Sequence, residues 1–291
     1  MTPVFRLIAL TMLTMTAFAA NSILNRLAVG GGHIGALEFS LIRVGAGGAI
    51  LCLLVFLARR PLPVLAWGRV LGALALSLYL LGFSVAYVQL DAGLGALILF
   101  GVVQVTMFAG GVIGGEDLPA RRWIGAALAL IGLAWLIWPA GAVTVPLIAA
   151  TAMGLAGFGW GLYSLAGRRA RDPLAETAAN FLLAVPVCAL PLLSGLAPAD
   201  TGAMTAIGIA LAVLAGAITS GLGYALWYSV LPRLGASIGG LVQLTVPVIA
   251  IAGGVLLLGE EVTWRLIGAS ALVLGGIAYG LYARRIGSSG S

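Results

Sequence analysis

Gly82-Phe83-Ser84-Val85-Ala86-Tyr87 returns further along the chain as Gly223-Tyr224-Ala225-Leu226-Trp227-Tyr228. Three more pairs follow in the same order. Val102-Val103-Gln104-Val105-Thr106 becomes Leu241-Val242-Gln243-Leu244-Thr245, Gly115-Glu116-Asp117 becomes Gly259-Glu260-Glu261, and Ile124-Gly125-Ala126-Ala127 becomes Ile267-Gly268-Ala269-Ser270. Each pair is separated by about 140 residues. The second half of the chain repeats the first. A duplication on this scale in so apolar a chain points to a transporter built from two related bundles.

Apolar residues make up 62% of the chain and charged residues 8%, against roughly 25% charged in a soluble globular protein. A soluble domain of 291 residues could not cover that much apolar surface, so its solvent is lipid. There is no lysine, and the net charge of +6 comes from arginine. These arginines sit in short gaps between apolar runs, which excludes a nucleic-acid footprint. Cys52 and Cys188 lie deep within such runs and read as small buried apolar residues. Neither a disulfide nor a metal is expected, nor any cofactor. Gly287-Ser288-Ser289-Gly290-Ser291 reads as an appended linker outside the fold.

A membrane-spanning helix needs about 20 apolar residues. Ten runs qualify, near 4–29, 35–58, 67–89, 92–114, 120–138, 145–167, 174–194, 203–230, 236–258 and 263–284. The gaps carry turn and helix-start residues, such as Arg59-Arg60-Pro61-Leu62-Pro63, Asp117-Leu118-Pro119 and Asp172-Pro173. The fold class is therefore an all-α polytopic membrane protein with ten transmembrane helices. Residues 1–139 form a first five-helix repeat and 140–286 a second. Five is odd, so the second copy enters the membrane from the opposite side. The repeats are then related by an axis in the membrane plane, an arrangement that permits alternating access.

With the N-terminus in the cytoplasm, Arg6, Arg59, Arg60, Arg69, Arg121, Arg122, Arg168, Arg169, Arg171, Arg233, Arg284 and Arg285 all fall inside. This bias predicts a bacterial inner-membrane protein with both termini cytoplasmic. Arg6 and Ala17-Phe18-Ala19 also resemble a cleavable signal peptide. Against cleavage, the run continues through Asn21-Ser22-Ile23-Leu24-Asn25-Arg26, and Gly157-Phe158-Gly159-Trp160 is its counterpart in the second half.

In these features the chain resembles the drug/metabolite transporter superfamily, in its ten-helix EamA-type branch. The residues that carry the resemblance are Phe18-Ala19-Ala20-Asn21-Ser22, Leu41-Ile42-Arg43, Tyr87, Tyr228, Pro247 and the Gly-Glu turns followed by Ile-Gly. The match spans nearly the whole chain. Within the superfamily it most resembles the YddG type, which implies an exporter of aromatic amino acids and related compounds. The chain departs from the pattern in lacking a tryptophan in the first motif and a proline matching Pro247 in the fourth run.

Polar side chains in such helices should face the bundle interior. Asn21 and Ser22 qualify, as do Gln104 and Thr106 in the fourth run and Gln243 and Thr245 in the ninth. Each glutamine is either part of the substrate site or an inter-helix hydrogen bond worth about 0.6 kcal/mol. Tyr79, Phe83 and Tyr87 follow an i, i+4, i+8 spacing along one face. Tyr224 and Tyr228 repeat the last two positions beside Trp227, and Trp160 and Tyr163 share a face of the sixth run. The substrate site is thus expected at Asn21, Tyr79, Phe83, Tyr87, Gln104, Trp160, Tyr163, Tyr224, Tyr228 and Gln243. Aromatic walls with a few amides suit a planar, partly apolar solute. Trp67, Trp123, Trp138, Tyr279 and Tyr282 read instead as interface belt residues.

Arg43 lies roughly 13 Å into the second run at 1.5 Å per residue, with Glu38 five residues earlier. The two read as a structural pair or carbonyl cap, or as a gate or substrate-carboxylate contact. Arg26 is expected to snorkel. A single mid-depth cation disfavours phosphate-sugar carriers, which would want several. Glu116-Asp117 and Glu260-Glu261 should complement the N-termini of the helices they precede, and His33 reads as a solvated loop residue. Gly110-x-x-x-Gly114, Gly157-x-x-x-Gly161 and Gly276-x-x-x-Gly280 allow close helix packing.

The leading function is a secondary transporter exporting small organic solutes, aromatic and other neutral amino acids or related metabolites, through a central aromatic cavity. The alternatives are an intramembrane enzyme and a non-transporting sensor or channel. The expected partners are the lipid bilayer and a small-molecule substrate, with no nucleic acid. A monomer is expected, and the glycine motifs leave room for a dimer face.

Overall fold

The computed structural model describes residues 3–64, 66, 68–115, 119–138, 145–167, 170–194 and 204–281. The belt positions Trp67 and Tyr282 and the acidic pair Glu116-Asp117 lie outside them. The described residues form helices and short connections: α1 (Pro3–Asn25), α2 (Ala36–Leu57), α3 (Arg69–Tyr87), α4 (Ala92–Ile113), α5 (Ala120–Ile137), α6 (Leu147–Gly167), α7 (Pro173–Leu193), α8 (Ala206–Leu214), α9 (Gly223–Gln243), α10 (Thr245–Leu258) and α11 (Trp264–Leu281). Eight helical segments are long and apolar enough to cross a membrane, and Thr245–Leu258 and Trp264–Gly280 are shorter apolar helices. The chain is an all-helical polytopic membrane protein of about ten crossings.

Two stretches are wider than an α-helix. Arg26–Gly30 continues α1 as a π-helix, and Ala215–Leu222 joins α8 to α9 in the same way. Periodicity did not distinguish these turns from ordinary helix. They matter because π turns re-aim side chains and concentrate at functional sites. The expected gap between the eighth and ninth runs is also moved. Helical backbone runs on through Pro232 to Gln243, and the interruption falls at Leu244. Proline removes one backbone hydrogen bond and bends a helix without having to end it.

The termini show their capping in the sequence. Asp172 accepts from the Ala175 amide at 3.2 Å and is followed by Pro173 at the first helical position. Thr205 caps α8 by accepting from Gly208 at 3.1 Å, and its hydroxyl and amide both donate to the His33 carbonyl. His33 therefore ties the α1–α2 loop to the start of α8 through its backbone.

Helix neighbours recur between the halves. α3 packs on α6 and α7, and the α8–α9 crossing packs on α1 and α2. α4 packs on α6 as α10 packs on α1, while α2 faces α7, α4 faces α10 and α5 faces α11. Glycine sets the closest of these crossings. A Cβ at Gly276 would lie 2.9 Å from the Gly125 carbonyl, and one at Gly125 would lie 3.0 Å from the Gly280 Cα. Gly276-x-x-x-Gly280 is thus used inside the molecule, between α5 and α11. Gly157 and Gly161 meet Leu99, Val102 and Thr106 of α4.

The core is aromatic and small-residue in character: Phe39, Phe83, Tyr87, Phe181 and Tyr224 are all fully buried among alanines and glycines. Large apolar side chains such as Phe56, Ile113, Ile148 and Leu256 face outward, as a lipid-facing surface requires. Trp123, Trp138 and Tyr279 are about half exposed or more. Cys188 is buried, Cys52 is half-buried, and both are free thiols.

Candidate functional site

Five rings from four helices meet near the middle of the bundle. Tyr79 and Phe83 sit one turn apart on α3, with ring centroids separated by 5.3 Å. Trp160 of α6 lies 5.0 Å from Tyr79 and 5.0 Å from Tyr224 of α9. Phe18 of α1 closes the group, edge-on to Trp160 at 6.3 Å and to Tyr224 at 5.7 Å. Such tilted and edge-to-face pairs add about 0.5–1.5 kcal/mol each beyond area burial. Gly159 makes the approach of α6 to α3 possible, since a Cβ there would lie 2.7 Å from the Ala75 carbonyl and 2.9 Å from the Tyr79 amide nitrogen.

Phe18, Asn21, Ser22, Tyr79, Phe83, Leu99, Phe100, Trp160 and Tyr224 enclose a central cavity of about 10 Å³. Beside it lies a buried polar layer supplied largely by the π turn. Thr219 donates to Asn21 Oδ1 at 2.5 Å, and Ser220 lies 3.5 Å from the same oxygen. Arg43 donates from Nε to Ser220 Oγ at 3.0 Å and from Nη2 to the Tyr79 hydroxyl at 2.9 Å. Its guanidinium carbon lies 5.3 Å and 5.0 Å from the ring centroids of Tyr79 and Phe83, within cation–π range. Arg43 is wholly buried. Its Nη1 and the Tyr224 hydroxyl are buried without a hydrogen-bond partner.

The expected pairing of Arg43 with Glu38 does not occur. Five residues along a helix is about one and a half turns, which sets the two side chains on different faces. Glu38 Oε2 is instead buried without a partner at the start of α2.

The other expected site residues divide into groups. Tyr87 is fully buried; its ring packs edge-on to Phe83 at 4.7 Å, and its hydroxyl donates to the Ala92 carbonyl at 3.2 Å. It anchors the α3–α4 turn and does not line the central cavity. Tyr163 and Tyr228 line a separate cleft of about 50 Å³ toward the arginine-rich end, with Arg69, Glu176, Thr177 and Asn180 among its walls. Tyr163 remains linked to the centre by stacking on Trp160 at 5.6 Å. Gln104 and Gln243 line neither cavity and are only half-buried.

Phe18 was not among the expected site residues, and Ser22 was expected only to face the bundle interior. Their signal was available: Phe18, Asn21, Ser22 and Asn25 recur at helical spacing and form one face of α1, and all four are buried. Asn25 continues that face by donating to Ser84 Oγ at 3.0 Å.

Among the described residues ion pairs lie at both ends, and three of these four cross between the halves. At the arginine-rich end Arg69 pairs with Glu176 at 2.7 Å and Arg60 with Asp172 at 2.9 Å. At the other end Arg26 meets Asp91 at 3.5 Å and Glu260 at 3.9 Å. Arg26 does not simply snorkel: it also donates to the Tyr87 and Val88 carbonyls at 3.2 and 3.1 Å, covering the C-terminus of α3.

Glu260 was expected to serve the helix it precedes. Thr263 does that work, accepting from the Leu266 amide at 3.1 Å. Glu260 accepts instead from the Ala92 amide at 2.7 Å, at the N-terminus of α4. Burial raises its carboxyl above the usual glutamate range, and Asp91 adds to that, opposed by the Ala92 and Gly93 amides and by Arg26. A side chain of the second half thus completes a helix of the first.

Known proteins resemble this chain in sequence and in fold. Residues 147–281 match the EamA-like transporter family. An uncharacterized protein of Pseudomonas aeruginosa is 49% identical over 284 residues, covering 97% of this chain and 96% of its own. A solved crystal structure aligns over 97% of this chain and 99% of its own with a TM-score of 0.68, and at 23% identity the two share the fold. By that family match the chain carries an EamA-like transporter domain over residues 147–281, set in an all-helical membrane architecture.

Proposed function

We propose that the protein is a secondary transporter exporting small organic solutes, aromatic and other neutral amino acids or related metabolites, by alternating access through the central cavity. The observation that carries this is the composition of the cavity wall. Phe18, Tyr79 and Phe83 come from the first half, and Trp160 and Tyr224 from the second. Any relative movement of the halves therefore remodels the wall directly. The cavity of about 10 Å³ is far too small for an organic solute, so the rings must part to admit one.

The recurring helix neighbours support an inverted repeat of 1–139 and 140–286, which provides two conformations of similar energy. The cross-half ion pairs supply the two gates. Arg69–Glu176 and Arg60–Asp172 would hold one end, and Arg26–Glu260 the other. The arginine excess supports an orientation with the Arg69 end and both termini in the cytoplasm, in a bacterial inner membrane. The protein acts as a monomer, because its closest glycine crossings are spent within the chain.

Flux into proteoliposomes tests this reading. Labelled tryptophan, phenylalanine and threonine should show saturable uptake that unlabelled aromatic solutes inhibit. Absence of saturable flux for every solute would sink the transporter reading. Threonine flux without aromatic preference would sink only the narrower one.

A further inference from the structure

We infer that Arg43 is the carboxylate anchor of the central site, and that the site reads a planar ring and a carboxylate but not an ammonium group. The inference rests on the transporter reading and narrows its substrate class. A guanidinium is charged at any pH a cell offers, and a charge inside the membrane ordinarily pairs or faces water. Arg43 does neither. It is wholly buried, and no carboxylate of the described residues lies within ion-pair distance of it. All four described ion pairs are at the ends of the bundle.

What surrounds Arg43 is weak compensation for a full charge. It has one serine hydroxyl, one tyrosine hydroxyl and two aromatic faces, while Nη1 has no partner. Stability alone is a poor reason for such a residue, since apolar replacements of buried charges are often neutral or stabilising. A counter-ion that comes and goes is a better one. The fork geometry of guanidinium matches a carboxylate in two parallel hydrogen bonds. Tyr79 and Phe83 line the cavity and pack their rings on Arg43 at 5.3 and 5.0 Å, so the parting of these rings that admits a solute would open the cation to its acid group.

Nothing comparable awaits an ammonium group. The cavity wall holds no carboxylate. Its amide oxygen, Asn21 Oδ1, already accepts from Thr219, and the nearest charge is the cation itself. A zwitterion would bring a positive group toward Arg43 with only neutral hydroxyl oxygens, such as those of Ser22 and Tyr224, to accept from it. An aryl monocarboxylate brings only the charge the site lacks.

The test is ligand-induced thermal stabilisation of the full-length protein in detergent, which does not depend on flux. Three probes share the indole ring: tryptophan, its deaminated acid indole-3-propionate, and its decarboxylated amine tryptamine. The expected order has indole-3-propionate binding at least as tightly as tryptophan, and tryptamine at least tenfold more weakly than either. Arg43→Met should fold, melt no lower than the parent, and lose at least tenfold in affinity for the acid. Arg43→Lys should keep part of that affinity, having the charge without the fork. Tryptamine binding as well as the acid, or the acid stabilising nothing while tryptophan does, would overturn the inference and leave the transporter reading standing. So would full acid affinity in Arg43→Met. The ligand panel on the parent protein decides the matter even where a variant does not fold.

Discussion

Gly159→Val should collapse both folding and transport. The added Cβ would lie 2.7 Å from the Ala75 carbonyl oxygen and 2.9 Å from the Tyr79 nitrogen. Both are backbone atoms of α3, so no side-chain rotation relieves the overlap and the helices must separate. Overpacking of this kind costs about 1–3 kcal/mol even where neighbours yield, and the rigid backbone places this case at the upper end. The separation also pulls Trp160 from Tyr79, now 5.0 Å apart. Gly154→Ala is the control on the same helix, because nothing lies within 4 Å of its Cβ position. It should be neutral, or stabilising by up to about 1 kcal/mol through helix propensity. Melting temperature in detergent checks both. A Gly159→Val protein that melts with the parent would show that α3 and α6 do not cross there.

Trp160→Ala should reduce flux at least tenfold while leaving a folded protein. Trp160 touches Phe18, Tyr79, Tyr163 and Tyr224, with ring centroids between 5.0 and 6.3 Å. Removing a buried ring costs about 3–5 kcal/mol in a soluble core. The loss here is expected nearer the low end, because the rings must already part during transport. Trp160→Phe separates packing from recognition. If Trp160 only fills space, Phe restores melting and flux together. If it stacks on the substrate, Phe restores melting while the apparent affinity stays weakened. The proposed site requires the second outcome.

The architecture was largely legible because lipid leaves few choices. Every crossing must be an apolar helix, so the ten runs and the repeated Gly-aromatic and Gly-Glu motifs declare the fold. The central rings were legible because Tyr79 and Phe83 are spaced at one helical turn and Tyr224 repeats Phe83. Arg43 was misread. Its partner Ser220 lies 177 residues away on the other half of the chain, whereas the charge partner that sequence offers is the local one, Glu38. The same cause hid Glu260, which serves Ala92 across 168 residues. The π turn at Ala215–Leu222 leaves no mark on periodicity, yet it carries Thr219 and Ser220 to the polar layer. Gln104 and Gln243 match between the halves, but matching positions share a place in the fold, which need not be the cavity.

The central claim is that one cavity opens alternately to the two sides of the membrane. Phe83→Cys, introduced after Cys52→Ala and Cys188→Ala, places a single thiol on the cavity wall. Its alkylation by a membrane-impermeant maleimide is then measured in right-side-out and in inverted vesicles. The account predicts labelling from both sides, slowed from both when an aromatic solute saturates the site. Labelling from one side alone, in a variant that still carries flux, would contradict it.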